Sequence, residues 1–167
     1  MKISASSIKE LRSQSGAGVM DCRNALLEAQ GDANKALEFL KQHSLVQAQN
    51  KTKRSTNKGL VETYLHGGGR IGAMVEVNCE TDFVARTDEF KELVHHLAMQ
   101  VAAMPPQFIS GEEVPEGAEV ESQSACLLLQ PFIRDTDRTV HDIIIETIAK
   151  VGENIKISRF ARFELGK

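Results

Sequence analysis

Apolar residues recur at helical spacing through the first part of the chain. They predict three helices over residues 4–15, 19–30 and 33–43, with glycines in the intervening segments. Three short helices predict a small bundle with a marginal core, which needs tight helix packing or docking on another surface. The positions expected to face inward are Ile8, Leu11, Val19, Cys22, Leu26, Ala29, Ala36, Leu37 and Leu40.

The ends of these predicted helices carry recognisable capping residues. Ser7 and Glu10 have the spacing of a capping box in the first helix. Gly31 is placed to end the second helix in a left-handed turn, and Asp32 can then cap the third.

The pattern changes to strand-like alternation after residue 59. Two strands are predicted over residues 60–66 and 70–79, joined by a loop of three glycines. In the second strand, apolar and polar residues alternate, so one face is apolar. The apolar set is Ala73, Val75, Val77 and Cys79.

Two longer helices and a final strand complete the predicted elements. Residues 87–104 form the clearest helix, with Thr87 as its cap and two prolines after it. Residues 139–151 predict a second helix, and residues 155–165 a last strand whose apolar residues share one parity. Residues 127–133 are expected to be buried extended chain. The order strand, strand, helix, helix, strand predicts an α+β domain in which helices cover an antiparallel sheet.

The sign of the net charge changes at the same place as the hydrophobic pattern. The formal net charge of the 167 residues is −3, but residues 1–58 carry +5 and the remainder −8. We therefore predict a helical domain over residues 1–50, a basic linker over 51–58 and an α+β core over 59–167. The linker has no apolar residue and is expected to be solvated. Contact with RNA or the ribosome is the less favoured interpretation, because no aromatic residues lie among the charges.

Composition excludes several classes of protein. No apolar run approaches the roughly 20 residues of a membrane helix, and the N-terminus lacks a signal-peptide core. Three scattered cysteines, Cys22, Cys79 and Cys126, indicate a reducing cytoplasm without a disulfide framework or zinc site. The net charge argues against a general nucleic-acid or membrane coat.

Motifs for catalysis are missing from the sequence. None of the five histidines lies at ligand or nucleophile spacing from a carboxylate or cysteine. The segment Gly16-Ala17-Gly18 lacks the pattern of a phosphate-binding loop. We therefore expect a protein that is not an enzyme, with no metal, no cofactor and no catalytic residue.

Two short apolar segments are candidates for contact with a partner. Gly18-Val19-Met20 could present an apolar tip, or Met20 and Leu27, seven residues apart, could widen the bundle core; periodicity favours neither. Phe83 lies between the second strand and the long helix, among charged residues. It could fold back under the sheet, or it could be an exposed aromatic anchor of an interface.

Several motifs follow one another along nearly the whole chain, at residues 11–12, 16–23, 25–26, 76–86, 130–132, 150–155 and 162–166. In this order they resemble the signatures of the bacterial elongation factor Ts family, whose members exchange guanine nucleotide on elongation factor Tu.

The resemblance implies a fold, a partner and a mechanism. The N-terminal domain is then similar to the ubiquitin-associated three-helix fold. Elongation factor Tu is the expected partner, and Gly18, Val19 and Met20 form a docking tip on its GTPase domain. Thr81, Asp82, Phe83 and Val84 match the segment that disturbs the partner's Mg²⁺ and phosphate sites and so releases GDP. No direct nucleotide, nucleic-acid or membrane contact is implied, and the expected location is cytoplasmic.

The sequence leaves the oligomeric state and an alternative function open. Longer family members carry two similar core modules and this chain has one, which suggests a homodimer of this short form. Phe160, Phe163 and the apolar face of the last strand are candidates for that interface, and could equally be ordinary core. The alternative function is an adaptor with a ubiquitin-associated-like module that binds without exchanging nucleotide.

Overall fold

The structure, a computed structural model, describes residues 3–167. It contains two compact units, of which one ends at Gln47 and the other runs from Ala48 to Lys167. The first unit is helical, and the second combines an antiparallel three-stranded sheet with helices. The expected fold class, an α+β protein that begins with a helical bundle, is therefore confirmed.

Three helices build the N-terminal unit. They are α1 Ala5–Ser15, α2 Val19–Glu28 and α3 Ala33–Lys51, the last of which continues into the second unit. The core is close to the predicted one, except that Val19 is 50% exposed rather than inward. The fully buried side chains are Leu11, Cys22, Ala25, Leu26, Ala36 and Leu40.

Capping at the helix starts agrees with the sequence in one case and not in the other. Asp32 caps α3 as predicted, because its Oδ1 accepts the N–H groups of Asn34 and Lys35 at 2.9 and 3.1 Å. The capping box expected from Ser7 is wrong. Ser4 is the N-cap of α1, and its hydroxyl accepts the Ser7 N–H at 3.1 Å.

Helix α3 is longer than predicted and ends at Lys51 instead of near residue 43. Residues 44–51 contain no glycine or proline that would stop a helix. Their apolar residues do not form one buried stripe: Ala48 is buried, whereas Val46 is 56% exposed. The periodicity that marks a helix therefore fades before the helix itself ends.

Five strands lie in the second unit. They are β1 Lys58–His66, β2 Ile71–Cys79, β3 Pro131–Phe132, β4 Asp135–Thr139 and β5 Ile155–Glu164. The main sheet has the order β1-β2-β5 and is antiparallel throughout. Strands β3 and β4 form a separate hairpin that the sequence did not predict.

Helices cover one face of the main sheet. The helices of this unit are α4 Asp82–Ala85, α5 Asp88–Ala103, α6 Ser122–Ala125 and α7 Val140–Val151. Helix α5 packs along β1 and β2, and α7 packs against α5 and β5. The predicted helices 87–104 and 139–151 are confirmed, with Thr87 and Thr139 as their N-caps.

A β-bulge changes the facing of the last strand. Val77 pairs with Ile157 and Glu76 pairs with Arg159, so Ser158 is an extra residue. A single extra residue moves every later side chain to the other face of the sheet. The predicted common parity of residues 155–165 is therefore wrong beyond the bulge. Ile155 and Ile157 are buried and Phe160 packs against the core, whereas Phe163 is 76% exposed and Leu165 80%.

The segment of residues 127–133 is only partly extended, which corrects the prediction. A 3-10 turn at Leu127–Leu129 precedes the two-residue strand β3. Leu127 and Phe132 are buried as expected, but Leu129 is 42% exposed because the turn points it outward.

Candidate functional site

Two capped helices follow one another directly after the central strand. Strand β2 ends at Cys79, and the side chain of Thr81 then accepts the N–H of Val84 as the N-cap of α4. Thr87 does the same for α5, with its hydroxyl accepting the N–H of Phe90 at 3.3 Å. The single turn of α4 is therefore fixed at both ends by local hydrogen bonds. We call residues 81–86 the α4 turn.

Neighbouring side chains of the α4 turn have opposite environments. Phe83 is 85% exposed, whereas Val84 and Ala85 are 8% and 4% exposed and belong to the core cluster. A helical turn places successive side chains about 100° apart, so burial of Val84 and Ala85 directs Phe83 away from the core. Of the two interpretations left open by the sequence, the exposed aromatic is the one found. Val84 lies inside the unit.

Charged side chains lie beside the exposed ring. The Asp82 carboxylate is 3.7 Å from the ammonium of Lys58, in a pair that is more than half exposed on both sides. Such a pair contributes little to stability. The turn thus offers one bulky apolar group within a polar rim, which is the anatomy of an interface anchor.

A loop far along the chain supports the α4 turn from below. The carboxylate of Glu153 accepts the Thr81 N–H at 2.9 Å and the Thr81 hydroxyl at 2.6 Å. The backbone N–H of Asn154 donates to the Glu80 carboxylate at 2.7 Å. The sequence does not predict these contacts, because no local spacing signals a pairing across more than 70 residues.

The thiol next to the site is a structural group. Cys79 is buried and its Sγ donates to the carbonyl oxygen of Thr81 at 3.2 Å. Burial raises the pKa of the Cys79 thiol, and the negative charge of Glu153 raises it further. The protonated donor is thus stabilised at the expense of the thiolate, the form that a nucleophile or metal ligand requires.

The tip of the N-terminal unit is also apolar and exposed. Gly18 is the N-cap of α2, and Val19 and Met20 follow it at 50% and 59% exposure. Leu27, seven residues after Met20 on the same helix, is 41% exposed. The structure therefore places Met20 and Leu27 outside the bundle core, which Cys22 and Leu26 occupy.

Titratable side chains also lie outside the α4 turn, on the helices of the second unit. Within residues 3–167, no three His, Cys, Asp or Glu side chains lie together in a way that could hold a metal ion. His96 is tied to the guanidinium of Arg134, and burial, aided by that positive charge, lowers the pKa of His96. His96 lines a cavity of 220 Å³ between α5 and α7. The cavity is lined by both signs of charge, including Glu89, Arg138 and Lys150.

Comparison with known proteins identifies the family. A family model described as elongation factor TS matches residues 42–124. Elongation factor Ts of Caldanaerobacter subterraneus subsp. tengcongensis is 48% identical, over 99% of this chain and 98% of that protein. Elongation factor Ts of Moorella thermoacetica is 45% identical over 99% and 96%, and that of Carboxydothermus hydrogenoformans 47% over 99% and 90%.

The helices provide one further finding. Across the described residues 3–167, no helix has both the length and the apolar character needed to cross a membrane.

The relatives named above match this chain along nearly its whole length. The chain therefore belongs to the elongation factor Ts family of translation elongation factors.

Proposed function

We propose that this protein is a guanine-nucleotide exchange factor that binds elongation factor Tu·GDP in the cytoplasm and promotes GDP release. In this proposal Phe83 enters the GTPase domain of the partner, and Asp82 makes polar contacts beside it. The contact disturbs the Mg²⁺ and phosphate sites, from which a bound nucleotide gains much of its affinity. One observation supports the proposal above others: Phe83 is 85% exposed, although the two residues that follow it on the turn, Val84 and Ala85, are buried.

The physical basis of exchange is thermodynamic linkage. An exchange protein that binds the nucleotide-free partner more tightly than the GDP-bound form must weaken GDP binding by the same ratio of affinities. Each 1.4 kcal/mol of such coupling changes nucleotide affinity about tenfold. No covalent bond is made or broken, so the proposed activity requires neither catalytic residue nor cofactor in this chain, and no direct contact with nucleotide, nucleic acid or membrane.

We assign different roles to the four residues of the predicted segment. Asp82 and Phe83 contact the partner, because both side chains are exposed. Thr81 and Val84 act from inside, one as the cap of the turn and the other as its apolar anchor. Gly18, Val19 and Met20 provide a second, separate docking contact.

The release of a fluorescent GDP analogue from elongation factor Tu tests this function. Micromolar protein should accelerate release, and Phe83→Ala should lose at least tenfold of that stimulation, because burying a Phe side chain contributes about 1.5–3 kcal/mol. Phe39→Ala, which removes a 40%-exposed Phe from α3, is the control and should behave like the wild type. Binding to elongation factor Tu with unchanged GDP release would instead favour the adaptor function.

We further propose that two copies pair through the uncovered side of the main sheet. This surface, the outer sheet face, carries large apolar side chains that are between 49% and 80% exposed: Val61, Leu65, Met74, Phe163 and Leu165. Leu65 and Phe163 both pair with Gly72, so they flank a position without a side chain. At one side of the face, Arg159 donates to Glu76 at 2.6 Å, so the two charges offset each other. A second copy can therefore cover the face without bringing two unpaired like charges together.

A further inference from the structure

The loop between α7 and β5 is fastened to the α4 turn although it lies more than 70 residues away. Gly152 ends α7 in the left-handed conformation with φ 81°, and the chain then reverses through Glu153 and Asn154. A side chain other than glycine is strained at that φ. The sharp turn brings the Glu153 carboxylate against Thr81.

Glu153 determines how Thr81 uses its hydroxyl group. One carboxylate oxygen accepts the Thr81 N–H at 2.9 Å, and the other accepts the Thr81 hydroxyl proton at 2.6 Å. Hydrogen bonds to a charged acceptor are stronger than neutral ones. With its proton directed to Glu153, the hydroxyl oxygen keeps its lone pairs for the Val84 N–H at 3.4 Å. The carboxylate therefore fixes both the backbone and the rotamer of the residue that caps α4.

Asn154 joins Glu80, the residue before the α4 turn, to the basic segment of residues 51–58. It is 2% exposed, and its backbone N–H donates to the Glu80 carboxylate at 2.7 Å. Its side-chain amide donates to the carbonyl oxygens of Thr52 and Arg54 at 3.1 and 2.7 Å. The guanidinium of Arg54 in turn lies 3.5 Å from the Glu80 carboxylate.

These contacts also bear on the basic segment of residues 51–58. Most of its residues are exposed, as expected of a solvated linker. Within it, however, Asn154 binds two carbonyl groups, and Arg54 and Lys58 pair with Glu80 and Asp82. At least part of the positive charge of this segment thus lies beside the acidic residues at the start of the α4 turn.

We propose that Glu153 and Asn154 are positioning residues for nucleotide exchange, which hold the α4 turn in the conformation that presents Phe83. This inference rests on the proposed exchange function. A helix of four residues is unstable alone, because its nucleation cost is not recovered by propagation. Without the loop, the turn samples other conformations, and the apparent affinity for the partner falls by the fraction of molecules that remain competent. The maximal release rate is reached by the competent form and is unchanged.

Two measurements on Glu153→Ala test this inference. Amide hydrogen exchange should become at least tenfold faster in residues 81–86, while the strands of the sheet keep the wild-type rate. GDP release titrated with factor should show an apparent affinity about tenfold weaker and a maximal rate within twofold of the wild type. Glu153→Gln keeps one acceptor oxygen, and it should recover part of the affinity.

The control is Glu113→Ala, which removes a carboxylate that accepts one backbone N–H, that of Ile109, at 2.8 Å outside the site. It should leave both measurements unchanged. Thr81→Val keeps the shape of the side chain without its hydroxyl. It should show the same faster hydrogen exchange in residues 81–86 and the same weaker apparent affinity. It therefore provides the test if Glu153→Ala unfolds the protein.

Several outcomes would overturn the inference. They are wild-type hydrogen exchange at residues 81–86 in Glu153→Ala, loss of maximal rate without loss of affinity, or faster exchange throughout the sheet in both Glu153→Ala and Thr81→Val. Failure of the wild type to release GDP would contradict the proposed function instead, and the hydrogen-exchange measurement would still decide whether Glu153 positions the turn.

Discussion

Two buried glutamines show how single residues define the core domain. Gln100 and Gln130 are 0% and 1% exposed, and the Gln100 amide N–H₂ donates to the Gln130 carbonyl oxygen at 3.0 Å. The Gln130 amide donates to the carbonyl oxygens of Met104 and Ser124 at 2.9 and 2.7 Å. No buried side-chain N or O atom within residues 3–167 lacks a partner. This matters because an unpaired buried polar group costs about 1–3 kcal/mol.

Replacing Gln130 by an apolar residue of similar size should therefore lower the free energy of unfolding. Gln130→Leu leaves the carbonyl groups of Met104 and Ser124 without their donor. It also removes one hydrogen bond of the Gln100 amide, which keeps only its bond to the Pro131 carbonyl oxygen at 3.1 Å among oxygen acceptors. We therefore expect a loss of about 3 kcal/mol in the free energy of unfolding. Urea denaturation followed by circular dichroism measures it. Gln107→Leu, at an exposed position four residues after the end of α5, is the control. A loss below 1 kcal/mol in Gln130→Leu would contradict the role given to this network.

At the scale of elements, helix α7 depends on its capping box. The Thr139 hydroxyl accepts the Asp142 N–H at 3.2 Å, and the Asp142 carboxylate accepts the Thr139 N–H at 2.9 Å. The Thr139 hydroxyl also donates to the Asp142 carboxylate at 2.7 Å. The hydrogen bonds that the Thr139 N–H and hydroxyl donate to it hold the pKa of the Asp142 carboxyl below its usual range. Helix α7 in turn carries the loop with Glu153, so a firm start of this helix contributes to the support of the α4 turn.

The capping box should make part of the stability pH-dependent. Because the Asp142 pKa is lower in the folded state, its stabilisation is complete above the unfolded value and is lost as the pH falls through the folded one. Thr139→Ala should cost about 1 kcal/mol in the free energy of unfolding at pH 7, and less as the pH approaches 3. Urea titrations between pH 7 and 3 measure this. Thr136→Ala, at an exposed position of β4, is the control; a pH-independent difference for Thr139→Ala would argue against the capping box.

At the scale of the whole molecule, the core domain has one covered and one uncovered sheet face. Helices α5 and α7 bury the inner face, while the outer sheet face exposes Phe163 at 76% and Leu165 at 80%. Contiguous apolar surface of this kind usually marks an interaction site. The β-bulge at Ser158 contributes to this exposed apolar surface, because it turns Phe163 outward and Phe160 inward.

The proposed pairing of two copies predicts the mass in solution. Sedimentation equilibrium at tens of micromolar should give twice the chain mass of 18.4 kDa for the wild type. Phe163→Asp should give one chain mass, because a carboxylate placed in an apolar interface loses its hydration without a partner. Leu129→Asp, at a 42%-exposed position away from this face, should stay dimeric. A monomeric wild type, or a dimeric Phe163→Asp, would contradict pairing through this face.

The sequence alone determined the elements and the family. The helices around residues 88–103 and 140–151 and the strands β1 and β2 follow from apolar periodicity and end residues, which are local properties of the chain. The motifs around residues 16–23 and 76–86 identified the elongation factor Ts family, and family membership is now shown by relatives that match almost the entire chain. Local patterns fail where the apolar period is broken, as at the end of α3.

Only the tertiary structure decided which apolar residues are buried. Phe83 and Val84 are both apolar, but Val84 packs in the core of the second unit whereas Phe83 is exposed. The facing of Phe163 depends on a bulge that exists only in the pairing of β2 with β5. The support of Thr81 by Glu153 joins residues more than 70 positions apart. Each of these features is a contact between distant segments, and a periodicity along the chain carries no information about such contacts.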